Sequence, residues 1–249
     1  MLYHIKYKRG RGNMSKFIIE FFEKSDGLIQ QKSLFYLMGL LVTMLSITAC
    51  GETDETTNEY PDWQSTNEAY FDSIYNEAKA DTARVGSNWK IFRKWSYEES
   101  AAKHSYDHIV VKVLQKGTGS GTPLYRDTVK VHLQGRLKAS VSYPKGLVFE
   151  RTYTDPFNAK TTSPAKRAVA GVVEGLQTAL QQMRIGDRWQ IFVPYQLGYN
   201  GRSATGTVLS SSQATVSIPP YSTLVYEVTL VEFYRVGKKV PNAKAFGGW

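Results

Sequence analysis

The stretch Val169–Pro194, VAGVVEGLQTALQQMRIGDRWQIFVP, decides the fold. Its first half places Val173, Leu176, Leu180 and Met183 at spacings of three and four, one apolar stripe on a short helix expected over Gly175 to Arg184. Gly186 follows closely, where a glycine in the left-handed conformation can end a helix. The period then changes to two. Trp189, Ile191 and Val193 alternate with Arg188, Gln190 and the less polar Phe192, a strand with one face against a core. Helix, glycine, strand and proline in this order predict a single apolar helix laid against a twisted sheet.

The chain on either side continues the β pattern. Ile109–Leu114 is a run of mostly branched apolar residues. Thr128–Gly135 turns Val129, Val131 and Leu133 inward and Lys130, His132 and Gln134 outward, which makes His132 a surface residue. Downstream, Leu197-Gly198-Tyr199 and Ile218-Pro219-Pro220 lead into a last strand from Thr223 to Phe233. Gly117-Thr-Gly-Ser-Gly121 is not a dinucleotide loop, because proline follows and no helix opens there. His4, His104, His108 and His132 have no metal-ligand spacing, and no nucleophile elbow, phosphate loop or HExxH motif occurs. Hydrolase and metalloenzyme readings therefore have no support.

These pieces, in this order, resemble the FKBP-type peptidyl-prolyl cis-trans isomerases. The matching motifs are Thr128-Val-Lys-Val-His-Leu-Gln-Gly135, Val148-Phe149-Glu150, Val172-Val173-Glu174-Gly175-Leu176, Met183-Arg-Ile-Gly186, Val193-Pro194, Leu197-Gly198-Tyr199 and Ile218–Val228. The resemblance covers about half of the chain, roughly Asp107 to Tyr234. It implies an α+β fold: an FKBP-like bent antiparallel β-sheet wrapped around one short α-helix, preceded by a small N-terminal helical element. It also implies a pocket walled by Phe149, Val172, Val173, Leu176, Tyr199, Ile218 and Tyr226. On that basis Phe149, Glu150, Tyr199 and Tyr226 are the expected catalytic positions, and Leu133, Val172, Val173, Leu176 and Ile218 the substrate-binding ones. No metal and no cofactor are implied. Two positions depart from the family pattern: Leu133 stands where a tyrosine is usual, and Glu150 where an aspartate is usual. In typical members that tyrosine hydroxyl bonds the aspartate, so the two changes go together.

The chemistry needs only such a pocket. Prolyl isomerisation breaks no covalent bond; it rotates an imide whose uncatalysed turnover takes tens of seconds or more. The twisted transition state has lost amide resonance and is less polar across C–N. A dry apolar pocket therefore favours it over the planar ground state.

Composition bounds the rest. With 249 residues, 42% of them hydrophobic, the chain can bury one good core and a smaller element. Residues 1–49 hold seven basic and three acidic side chains, so removing them would lower the net charge from +9 to +5. No basic run interleaved with aromatics tracks a phosphate backbone, so nucleic acid is not an expected partner. Leu34–Ala49 is an apolar run of signal-sequence length that ends directly before Cys50, the one cysteine of the chain. Ile47-Thr48-Ala49-Cys50 resembles a bacterial lipobox, which would make Cys50 a lipid attachment site and the membrane a partner through that lipid. The alternative is a buried or free thiol behind an uncleaved anchor helix.

The expected organisation is a lipoprotein signal segment over 1–49 and an acylated cysteine with a flexible tether over 50–61. A helical pre-domain over 62–105, an FKBP-like domain over 106–236 and a tail over 237–249 follow. The pre-domain helix, Asp62 to Ala80, has Ser65-x-x-Glu68 as a possible capping box and an apolar stripe of Trp63, Tyr70, Ile74 and Ala78. Its aromatics either pack on the following domain or form a homodimer or client contact. The expected function is a prolyl isomerase or foldase for unfolded or proline-containing envelope proteins, lipid-anchored in the bacterial cell envelope. The alternatives are an isomerase-inactive module that binds proline-containing segments, and a surface adhesin or glycan binder using exposed aromatics between Trp63 and Trp95.

Overall fold

The computed structural model describes residues 58–154, 156–158, 161–209, 213–235 and 238–239. In order these form α1 (Trp63–Thr82), β1 (Trp89–Arg93), β2 (His108–Gln115), β3 (Thr128–Leu137), β4 (Val148–Arg151), β5 (Ala165–Ala168), α2 (Glu174–Leu180), β6 (Arg188–Val193), β7 (Ala204–Val208), β8 (Ala214–Ile218), β9 (Leu224–Arg235) and β10 (Lys238–Lys239). The signal segment, Cys50 and the tail apart from Lys238–Lys239 lie outside the described residues, as do most of the expected tether and residues 210–212.

The strands form one sheet in the order β1-β2-β6-β9-β3-β4-β7-β8, with β10 on β9 and β5 on β3. The long strand β9 lies between β6 and β3, and its register pairs Tyr226 with Ile191 on one side and Gly135 on the other. Among the described residues every pairing is antiparallel except the parallel bridge of β4 to β7, Arg151 to Val208.

Alternation explains the inner face. Val111, Val129, Val131, Leu133, Trp189, Ile191, Val193, Tyr226 and Val228 all turn to one core with Leu176, Ala179, Leu180 and Met183. Helix α2 comes close because Gly175 lacks a Cβ, which would stand 2.4 Å from Val193 Cγ1. The helix is shorter than its apolar stripe. It ends at Leu180 with Gln181 still in the right-handed region, and Gln182 and Met183 donate to Ala179 O in a continuing turn. Gly186, at φ 92°, does not cap α2; it shapes the turn into β6, where Asp187 Oδ2 accepts from Arg184 N at 2.7 Å.

The outer face is covered too, which a strictly alternating strand does not announce. Phe192, on the side assigned to solvent, is buried with Val110 and Val225 beneath Phe71, Ile74 and Ala78 of α1. Asn67 fastens the helix there. Its side chain is fully buried, with Nδ2 donating to Trp63 O at 2.7 Å and Oδ1 accepting from Thr223 N at 2.8 Å. Trp63 Nε1 donates to Ser222 Oγ at 2.9 Å, a second tie to the start of β9. The expected capping box does not form. Asp62 begins α1 at φ 46° without a side-chain cap, Ser65 Oγ donates to Asp62 O, and Glu68 instead accepts from Tyr195 Oη.

Segment 62–105 is not helical throughout. Its aromatic stretch Trp89–Arg93 is strand β1, antiparallel to β2, with Phe92 stacked on Trp189 and Trp89 on Phe192. At the end of the expected tether, Glu59 accepts from Ser140 Oγ and Ser142 N, and Tyr60 packs edge-on to Trp63.

His132 is likewise not a surface residue. It is only 6% exposed, because Phe157 folds over it with ring centroids 4.9 Å apart, and its Nδ1 has no hydrogen-bond partner. Burial pushes its imidazole below the usual range. The unfolded chain therefore takes up the proton first, and stability should fall as pH drops below the ordinary histidine value of about 6.5. Urea melts at several pH values check this: His132→Gln should flatten the pH dependence in that window, and an unchanged slope would show that another group titrates.

Candidate functional site

Strands β3 and β9 and helix α2 leave a cavity of about 360 Å³ between them, lined by Leu133, Glu150, Arg167, Gly171, Val172, Val173, Leu176, Tyr199 and Tyr226. Each residue is held by its element. Leu133 is fixed on β3 by Thr152, whose Oγ1 accepts from Leu133 N and whose N donates to Leu133 O, both at 2.9 Å. Tyr226 projects inward from β9 beside Gly135. A Cβ on that glycine would stand 2.6 Å from the Phe149 ring and 2.8 Å from the Tyr226 ring, so both rings need a glycine there. Gly171, Val172 and Val173 form the turn that leads from β5 into α2. Tyr199 follows the 3-10 turn Tyr195–Leu197.

The cavity has aliphatic walls and a few polar tips. Leu133, Val172, Val173 and Leu176 supply the walls; Glu150, Arg167, Tyr199 and Tyr226 supply the polar atoms. Arg167 Nη2 lies 3.3 Å from Glu150 Oε1 in a partly exposed pair. Burial, then the neighbouring Tyr199 and the Glu150 carboxylate, push the Tyr226 phenol well above its usual range. Burial and then the Glu150 charge raise the Tyr199 phenol, against a hydrogen-bonding contribution from the Tyr226 hydroxyl. Both phenols therefore stay neutral near pH 7 and can donate. Leu133 contributes no hydroxyl, but Tyr226 brings one to the same cavity.

Of the nine residues expected at the site, seven line this cavity: Leu133, Glu150, Val172, Val173, Leu176, Tyr199 and Tyr226. Phe149 and Ile218 do not. Both are fully buried in the main core, Phe149 edge-on to Tyr226 with centroids 5.6 Å apart. Strand β7 seals Phe149 from outside, since a Cβ on Gly206 would stand 2.1 Å from Phe149 O. The region between Gly201 and Ser217 holds the antiparallel pair β7 and β8, with Ala204 opposite Ile218. Arg167 was not foreseen. It sits in the short polar strand Ala165–Ala168, which carries no pattern pointing to a pocket.

A roomier cleft of about 440 Å³ lies between α1 and the 194–196 segment. Its two carboxylates are already engaged, Glu68 by Tyr195 Oη at 2.8 Å and Asp72 by Ser105 Oγ at 2.5 Å. Its apolar lining comes from Phe71, Tyr106, Pro194 and Tyr195, whereas the smaller cavity is walled by aliphatic side chains.

Residues 119–231 match the model of the FKBP-type peptidyl-prolyl cis-trans isomerase family. All nine cavity residues fall inside that stretch; α1 and β1 fall outside it. The chain is 32% identical over 130 residues to the macrophage infectivity potentiator of Trypanosoma cruzi, covering 52% of this chain and 55% of that protein. It is 32% identical over 139 residues to the FKBP-type 22 kDa peptidyl-prolyl cis-trans isomerase of Escherichia coli K12, covering 54% and 56%. It is 33% identical over 120 residues to the outer membrane protein MIP of Legionella longbeachae, covering 48% and 42%. The chain thus spans about half the length of these relatives.

Proposed function

We propose that the chain is a peptidyl-prolyl cis-trans isomerase that acts on Xaa-Pro bonds of unfolded or proline-containing envelope proteins. The observation that carries this reading is the 360 Å³ cavity, aliphatic on its walls and roomy enough for a prolyl ring with its flanking backbone, inside the family-matching stretch. A proline ring fits against Leu133, Val172, Val173 and Leu176, where water is excluded. Desolvation disfavours the planar, polar imide and favours the twisted form. Tyr199 is the group we assign to hold the carbonyl preceding the proline, with Tyr226 beside it. Phe149 and Ile218 act from behind, as packing for the wall.

Isomerisation of a prolyl peptide, followed by protease coupling with the full chain, tests the reading. Tyr199→Phe keeps the ring and removes one neutral hydrogen bond, so kcat/KM should fall by up to about tenfold. A wild type that binds proline-containing peptides without isomerising them would overturn the enzyme reading. It would favour a binding module instead, the reading suggested by an apolar Leu133 and a Glu150 already paired with Arg167.

We also propose a lipid anchor at Cys50 in a bacterial envelope, supported by the lipobox-like Ile47–Cys50 and by a relative named as an outer membrane protein. Palmitate labelling should mark the wild type and not Cys50→Ala. Equal labelling of both would remove the anchor.

A further inference from the structure

The segment that follows β1, outside the family-matching stretch, makes three contacts with α2. Lys94 Nζ lies 2.8 Å from Glu174 Oε2, Trp95 N donates to Thr178 Oγ1 at 3.2 Å, and Trp95 Nε1 donates to Gln177 Oε1 at 3.0 Å. Gln177 is the informative partner. It is only 7% exposed, and its Nε2 donates to Val172 O at 2.7 Å and Ala170 O at 3.4 Å. A carboxamide has one accepting and one donating end. An indole N–H can only donate, so it fixes Oε1 toward Trp95 and leaves Nε2 for the two carbonyls of the turn. With the amide reversed, oxygen would face oxygen at the turn and N–H would face N–H at Trp95. The same turn is held from its other end by Val169 N donating to Asp127 O at 3.0 Å. The Trp95 ring is itself stacked on Tyr125, with centroids 4.7 Å apart. Gly171, Val172 and Val173, which this arrangement braces, form one wall of the cavity.

We propose that Trp95 is a positioning residue: acting through the Gln177 carboxamide, it holds the 170–173 wall and couples the segment ahead of the family-matching stretch to the cavity. Its effect on turnover rests on the isomerase reading above; the mechanical coupling does not. The test compares wild type, Trp95→Phe, Gln177→Met and the double variant in the full chain. Trp95→Phe keeps an aromatic on Tyr125 and removes only the N–H. Backbone amides of 170–173 should exchange hydrogen about fivefold faster in each single variant, within the range expected for one lost hydrogen bond, while those of β9 stay unchanged. The double variant should exchange no faster than Gln177→Met alone, because the two residues act in series. With a prolyl peptide, Trp95→Phe should raise KM about fivefold and leave kcat within about twofold. Unchanged exchange in Trp95→Phe, or additive effects in the double variant, would overturn the coupling. If wild type isomerises nothing, the isomerase reading falls, and the exchange measurements still decide whether the coupling exists.

Discussion

Phe149→Ala should lower folding stability by about 3–5 kcal/mol and reduce turnover per folded molecule about 100-fold. The ring is fully buried, and it supports Tyr226 edge-on at 5.6 Å without lining the cavity itself. Removing it opens a void beneath a phenol that would otherwise stay aimed at Tyr199. The Tyr226 ring can then sink toward β7, since Gly206 leaves no side chain to stop it. The hydroxyl moves by the order of an ångström, which is enough to lose the productive arrangement. Phe149→Leu retains most of the volume and should recover much of both quantities. Urea melts together with turnover corrected for the folded fraction separate the two effects. If Phe149→Ala were fully active per folded molecule, the position of Tyr226 would not depend on this ring.

Much of this arrangement is legible in the sequence because the domain's elements alternate cleanly. Trp189, Ile191 and Val193, and likewise Val129, Val131 and Leu133, face the core that period two assigns to them. Seven cavity residues lie on or next to such elements, so a family motif could be placed on them residue by residue. The failures share one physical cause: a residue's surroundings can be set by segments far away in sequence. Phe192 and His132 lie on the face that alternation gives to solvent, yet α1 covers one and Phe157 the other. Phe149 and Ile218 carry the right chemistry for a wall but stand one layer behind it, because Tyr226 is interposed in front of Phe149 and β7 and β8 close over the outside. Arg167 was invisible because its role comes from the pairing of β5 with β3, where it faces Val129 in register. Asn67 reads as an ordinary polar helix residue until Thr223, 156 positions away, presents a buried N–H to it.

Leu180→Ala and Met183→Ala should each lower stability by about 2–5 kcal/mol, and Gln182→Ala by no more than about 0.5 kcal/mol. The contrast follows from geometry the helix boundary obscures. Leu180 is the last residue of α2, and Met183 lies beyond it, so a helix ending at Leu180 would give no reason to link their orientations. The chain nevertheless keeps turning: Met183 N donates to Ala179 O at 3.1 Å and to Leu180 O at 3.3 Å. That extra turn brings Met183 onto the same stripe as Leu176 and Leu180, fully buried under the sheet, and leaves Gln182 on the outside. The two apolar truncations should leave cavities in close-packed surroundings; the third removes a side chain that faces water. Met183→Leu, which nearly conserves volume, should lose less than about 1.5 kcal/mol. Urea melts on the four variants provide the measurement. Equal losses at Gln182 and Met183 would mean that the turn after α2 does not hold its face, and that the stripe ends where the helix does.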